Sequence, residues 1–284
     1  MSPNEHGARL TKHLGRRAFF IVSTAGALVA CAAFGTSDDG DPGPPPSPSP
    51  DAAVDADGED APPDADAAYV PPPLLAYWDF EEESGATVLD RSGAGHNAEI
   101  DAPNPDVVRG EGKYGRGVVF ARRGNERLVC WATLVELRDN GALSFWMRDD
   151  DDEPPTLQNS AGYFSNQNSE SNHLFIWRAK TRQPQELEVA FQLAKEDANA
   201  PAVYAGTHPF RVEKGVWTRV VVSWTDHDAR ILIGSGTEPE PVTFAQRWKA
   251  DQQSCYFGSN AKVAFDEIKF YARALTDDEM AAVP

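Results

Sequence analysis

The chain runs to 284 residues, with 44 aspartates and glutamates against 26 lysines and arginines, and a formal net charge of −18. Such an acidic excess argues against nucleic acid as a partner and against adsorption to an anionic membrane surface. His96, His173, His208 and His227 are scattered singly, so no His-rich metal cluster of the kind that binds zinc emerges.

The chain starts basic, with Arg9, Lys12, Arg16 and Arg17, and then runs through thirteen apolar or small residues from Ala18 to Ala30. A transmembrane helix needs about 20 such residues, so this run suits the apolar region of an export signal. Its end, Leu28-Val29-Ala30-Cys31, resembles the lipobox of bacterial lipoproteins. Small residues there admit the signal peptidase, and the Cys31 thiol is the nucleophile that takes a thioether-linked lipid. Arg16-Arg17-Ala18-Phe19-Phe20 also resembles the twin-arginine export signal, while Gly15 and Ile21 depart from its usual flanks. The twin-arginine and general secretory routes therefore both stay open. The resemblance implies a signal peptide over residues 1–30, a lipid anchor on Cys31, and a place in the cell envelope, in the outer membrane or at the cell surface.

Residues 32–73 carry ten acids, no base and half of the chain's 22 prolines. Mutual repulsion and the lack of bulky apolar side chains leave nothing to offset the entropy of ordering, which predicts a disordered linker over residues 31–73. As a flexible coil it would span about 35 to 40 Å. Asp55, Asp57 and Glu59 have a calcium-loop-like spacing, but no helices flank them as an EF-hand requires.

From Leu74 to Pro284 the texture changes to that of one folded domain of ordinary size. The segments LLAYWDF, RGVVF, RLVCW, ALSFWM, NHLFIWR, LEVAFQL, AVYAGTH, WTRVVVSW, ARILIG, SCYFGS and VAFDEIKFY are short, β-branched and aromatic. Turn chemistry such as RSGAG, RGEGK, TDHD and GSGTEPEP separates them. In Leu187–Leu193 the odd positions are apolar throughout, so one face is core and the other wet. Asp149 to Gly162 reads as a loop insertion. Thr276 with Glu279 three residues on is a capping box that starts one short helix, DDEMAAV. The pattern predicts an all-β, two-sheet antiparallel sandwich with a short C-terminal helix.

The tail FDEIKFYARALTDDEMAAV resembles the last strand and closing helix of laminin-G-like jelly rolls, in the concanavalin-A-like lectin and glucanase superfamily. LLAYWDFEEESGATVLDRSGAGHNAEI, GKYGRGVVFA, LSFWMR and GVWTRVVVSWTDHDARILIG resemble that family's opening strand and turn, second segment, front-sheet strand and Trp-containing hairpin, in order. This resemblance implies a jelly roll over residues 74–284. The fold hosts lectins, hydrolases and adhesion modules alike, so it does not choose between them.

Glucanases of that superfamily use a Glu-x-Asp-x-Glu strand, because period-two alternation puts all three carboxylates on one face. Acids at this spacing occur at Asp55, Asp57 and Glu59 in the linker, at Asp149, Asp151 and Glu153 in the expected loop, and at Asp79, Glu81 and Glu83 in the opening strand. None lies in a central strand, so the expectation is a non-catalytic module that binds carbohydrate or a surface protein. A glycoside hydrolase of the same fold and a purely structural envelope protein are the alternatives. SNQNSESNHLFIWR gathers Asn166, Gln167, Asn168, Asn172, His173 and Trp177, the amide and aromatic groups of a lectin-like site. Asn168, Asn172 and Trp177 are the candidate contacts, the alternative being a polar loop before a strand whose Trp177 is core.

Once Cys31 is lipidated, Cys130 and Cys255 remain, an even number outside the cytoplasm. Both sit in strand-like segments, so they are either a disulfide between neighbouring strands or two separate buried thiols. A disulfide there would be worth nominally about 4 to 5 kcal/mol by loop entropy. The family resemblance further implies a structural calcium ion near the opening turn and last strand, where Asp90 and Asp266 stand, with Asn97 beside them. Calcium needs six to eight oxygens, so backbone carbonyls would have to complete the shell. The alternative is that Asp90 bonds its own turn amides and Asp266 caps a neighbouring loop.

Replacing Cys31 with Ala is expected to yield a protein without lipid that leaves the membrane fraction on cell fractionation. A variant that stays as firmly bound as the parent would refute the lipid anchor.

Overall fold

The computed structural model describes residues 71–122, 124–131, 137, 139–152, 161–166, 172–178, 185–194, 201–250 and 254–284. The signal-like run, Cys31, nearly all of the acidic linker, Gln167 and Asn168 lie outside these residues.

Strands with one apolar face must bury it against another sheet. Here they do so as β1 (Leu74–Trp78), β2 (Thr87–Val88), β3 (Ala98–Asp101), β4 (Arg109–Glu111), β5 (Arg116–Phe120), β6 (Arg127–Trp131), β7 (Gly141–Asp149) and β8 (Ala161–Ser165). The chain continues with β9 (His173–Arg178), β10 (Glu186–Gln192), β11 (Tyr204–Arg211), β12 (Trp217–Trp224), β13 (Asp228–Ile233), β14 (Glu240–Thr243), β15 (Ser254–Ser259) and β16 (Val263–Tyr271). One helix, α1 (Asp277–Ala282), follows, with the predicted Thr276–Glu279 capping box in place. Sheet A has the order β14-β13-β12-β7-β16-β5-β4, with β1 also beside β16, and sheet B the order β11-β10-β9-β8-β15-β6-β3-β2. The expected two-sheet antiparallel sandwich with a short C-terminal helix is the fold that forms.

One expectation fails locally. Asp149 is the last residue of β7 and Gly162 lies inside β8, so the expected insertion from Asp149 to Gly162 gives both ends to strands. Five residues with a central Gly-Tyr are too short to show a period of two, which is why β8 escapes a reading by periodicity.

The core joins the sheets through aromatic rings. Phe257 of β15 in sheet B meets Phe145, Phe265, Phe270 and Trp78 of sheet A, with centroids 5.6, 5.5, 6.3 and 6.5 Å away and interplanar angles of 74° to 83°. Edge-to-face geometry of this kind is favoured by the ring quadrupoles. Phe164 of β8 completes the cluster at 4.9 Å. Just beyond Phe257 the chain turns through Gly258, whose φ is +72° and where a Cβ would lie 2.5 Å from the Phe120 ring. Only glycine fits there.

Cys130 and Cys255 face each other directly in the β6–β15 register and form a disulfide on the inner face of sheet B. On the outer side of sheet A, α1 covers a second apolar cluster of Ala142, Val221, Leu232, Tyr271, Leu275, Met280 and Val283.

Phe257→Ala removes the ring shared by both sheets and is expected to cost about 3 to 5 kcal/mol. In a domain of this size that corresponds to a fall of roughly 6 to 20 °C in melting temperature. Calorimetry of the variant checks this, and a shift of a degree or two would show that the cluster relaxes around the loss.

Candidate functional site

Strand alternation decides which side chains leave the core. Leu174 and Ile176 of β9, and Leu187, Val189 and Phe191 of β10, point inward. His173, Phe175 and Trp177, and Glu186, Glu188, Ala190 and Gln192, therefore face outward on sheet B. The outward side chains of β9 form an aromatic row, in which His173 and Phe175 are largely covered, each 9% exposed. His173 and Phe175 are 4.9 Å apart, Phe175 and Trp177 5.3 Å, and Tyr204 on β11 lies 6.1 Å from Phe175. Trp177 is half-buried and opposes Glu188, while Phe175 opposes Ala190. The small side chain of Ala190 leaves a floor between Phe175 and Thr207, its partner on β11. Two donors in this sheet, Trp177 Nε1 and Gln192 Nε2, are buried without a hydrogen-bond partner among the described residues, a state that costs about 1 to 3 kcal/mol each unless another group satisfies them.

The candidate amides divide. Asn166 is buried and accepts the Leu174 N–H at 2.6 Å, closing the β8–β9 connection. Asn172 accepts the Ala194 N–H at 2.6 Å, tying β9 to the end of β10. Both brace the backbone beside the aromatic row. Asn168 lies outside the described residues. Trp177, for which a core position was the alternative, stands on the outward face.

The acids resolve similarly. Asp79 pairs with Arg91 at 3.1 Å, and Glu81 accepts the Arg116 N–H at 2.9 Å. Asp149 and Asp151 are fully buried rather than in an exposed loop. Arg178 Nη2 reaches Asp151 at 2.7 Å, with Asp149 at 3.8 Å from Nη1. Arg178 follows Trp177 on β9 and so points inward, where its charge is the compensation two buried carboxylates need. One same-face pair was not singled out from the sequence. Glu186 and Glu188, two residues apart, share the outward face with Trp177, and Glu186 pairs with Arg211 at the edge.

The calcium ligands inferred from resemblance do not fit a cation. Asp90 Oδ1 accepts the N–H of Tyr77 at 2.9 Å and of Ser92 at 2.8 Å. Its Oδ2 accepts the Ser92 hydroxyl at 2.8 Å and the His96 N–H at 2.9 Å. Partial burial opposes the Asp90 charge, but these donors win and hold its carboxyl below the usual range. Asn97 Oδ1 accepts the Asp90 N–H at 2.9 Å, so these two meet by bracing the turn. Asp266 turns its oxygens to the N–H groups of Tyr114 and Glu267, at 2.9 and 2.8 Å. Donors occupy the oxygens that calcium would require, and among the described residues no group of three or more His, Cys, Asp or Glu side chains could hold a metal ion.

Asp266 marks a fork in sheet A. One side of β16 pairs with β5 through Val263–Phe265 and then with β1 from Ile268 onward. At the crossover Glu267 has a φ of +53°, and the Asp266 carboxylate takes up amides freed there. Burial pushes its pKa up to about 7, against the amide bonds and helped by the Glu267 charge.

No protein-family model and no curated protein sequence matches this chain. Several solved structures resemble it in fold. Domain 4 of AbnA, a GH43 extracellular arabinanase from Geobacillus stearothermophilus solved in complex with arabinotriose, is similar with a TM-score of 0.54 and 15% identity, covering 75% of this chain and 98% of that domain. The binding domain of botulinum neurotoxin DC in complex with SialylT gives 0.55 at 11% identity, and that of serotype D gives 0.52 at 12%. They cover 74% and 73% of this chain, which spans about half the length of each toxin domain. At such identities the likeness is one of fold.

The folded pKa of Asp266, about 7, lies above its ordinary 3.8, so the folded state holds this proton more tightly than the unfolded chain. That contribution is complete below about pH 4 and is lost as pH rises to about 7. Glu279, held down to about 2 chiefly by Arg273, acts oppositely, with stability lost as pH falls from 4.5 through about 2. Denaturant titrations from pH 3 to 8 should show a decline above pH 4 that Asp266→Asn flattens. A parent slope unchanged in the variant would assign the proton to another group.

Proposed function

We propose that residues 74–284 form a non-catalytic, lectin-like module that binds carbohydrate on the outward face of sheet B, held at the cell envelope by a lipid on Cys31 and the acidic linker. The observation that carries this reading is the row His173, Phe175, Trp177 and Tyr204 over the Ala190 floor. Aromatic faces take the apolar C–H faces of sugar rings, and Trp177 is the half-buried ring of the row that meets the ligand. Arabinotriose in the similar arabinanase domain is consistent with a glycan ligand for this fold, though it does not identify the sugar here.

A hydrolase is the second reading, favoured only by Glu186 and Glu188 on the same face as Trp177. Against it stands the ion pair that commits Glu186 to Arg211. A surface protein is the remaining class of ligand.

Glycan-array binding, competed by free sugar, tests the proposal. Trp177→Ala is expected to weaken binding at least tenfold, about 1.4 kcal/mol, with the melting temperature little changed. A parent that binds no glycan, or a variant that binds like the parent, defeats it. Release of reducing ends by the parent and not by Glu188→Gln would make the protein an enzyme instead.

A further inference from the structure

The outward face of sheet A divides into two parts. One lies under α1, where Ala142, Val221 and Tyr271 belong to the helix-covered cluster. The other carries rings and cations in alternation. Trp146 on β7 lies between Asp266 on β16 and Arg219 on β12, and Arg148 lies between Ala264 and Trp217. The Arg148 guanidinium stands 5.2 Å above the Trp217 ring. The turn from Gly112 to Gly115, held by Asp266, brings Lys113 Nζ to 4.6 Å from the Trp146 centroid and 5.7 Å from that of Tyr114. Tyr114 meets Trp146 edge-on at 6.2 Å and is 51% exposed.

Residues 74–284 hold 33 acids and 22 bases, a difference of −11, so most cations have an acid within reach. On this face Arg148 is paired with Asp150 at 3.0 Å and Lys269 with Glu267 at 2.7 Å. Arg219 donates to the carbonyls of Ala281 and Val283 at the end of α1. Among the described residues the Lys113 ammonium meets only rings. Two polar atoms on the same face, Ser144 Oγ and Trp146 Nε1, are buried without a hydrogen-bond partner among the described residues.

We infer that this strip is a second ligand site, separate from the face of sheet B, and that it takes an otherwise neutral glycan bearing a single carboxylate, since the domain's net charge of −11 opposes a polyanion. The sugar face lies on Tyr114, the exposed ring of the strip, and the carboxylate meets the Lys113 ammonium. Each part of the site selects against an alternative. A neutral sugar leaves the ammonium without its counter-charge, and a small anion leaves the rings uncovered. The ammonium is held between two rings by cation–π attraction, so little side-chain freedom is lost on pairing.

Titration calorimetry of the full chain with a neutral xylo-oligosaccharide carrying one glucuronate, at low and at physiological salt, provides the test. Affinity should fall as salt rises. Lys113→Ala and Tyr114→Ala should each weaken it at least fivefold, Lys113→Arg should retain most of it, and Trp177→Ala should leave it unchanged. No binding of the glucuronate-bearing oligosaccharide, or binding lost in Trp177→Ala and kept in Lys113→Ala, overturns the inference. Failure of neutral glycans to bind bears on the sheet B site alone.

Discussion

Phe257 is the point on which both sheets close. It lies on β15 of sheet B, yet its ring contacts come from β1, β7 and β16 of sheet A as well as from β8 beside it. Packing at this density leaves each strand one register, because a slip of one residue would send its apolar set outward. The disulfide at Cys130 and Cys255 repeats that constraint two residues away, pairing β6 with the strand that carries Phe257. With β15 fixed, β8 and then β9 are fixed beside it, and Phe175 and Trp177 have only the outward face left. The outward aromatic row is thus a consequence of the core.

Sheet A faces a different problem, since β16 must serve two neighbours on one side. The change from β5 to β1 frees backbone amides in the protein interior, where an unsatisfied N–H is costly. A buried carboxylate at the fork answers this by accepting from Tyr114 and Glu267. Its desolvation is the opposing term, visible in the raised pKa of Asp266. The same bonds hold the turn that places Lys113 and Tyr114 over Trp146, so a device that completes the sheet also shapes its outer surface.

Much of this was legible in the chain. The alternation in Leu187–Leu193 placed β10 with its faces the right way round, and Thr276 with Glu279 placed the helix start. Leu174 to Trp177 was harder, because four consecutive apolar residues fit either facing, and only the sheet pairing shows that Trp177 points out. Asp149 and Asp151 before two prolines had the composition of a solvated loop. Their burial depends on Arg178, some thirty residues on, and no local pattern reports a partner at that distance. Calcium came from likeness to a family, and the N–H groups around Asp90 and Asp266 show how one acid-and-turn pattern serves a cation or closes backbone.

The disposition of the acids also bears on what the domain can do. A hydrolase needs two carboxylates at the substrate, about 5 to 5.5 Å apart for retention or 6.5 to 9.5 Å for inversion. Here Asp149 and Asp151 are sealed between the sheets with Arg178, Asp79 is paired with Arg91, and Glu81, Asp90 and Asp266 are spent on backbone amides. Acids that close turns cannot also give and take protons from a substrate without opening the fold they hold. On the outward face of sheet B, Glu188 stands opposite the half-buried Trp177, so that face, and not the acids spent on turns and ion pairs, is where a hydrolase and a glycan-holding module would be told apart.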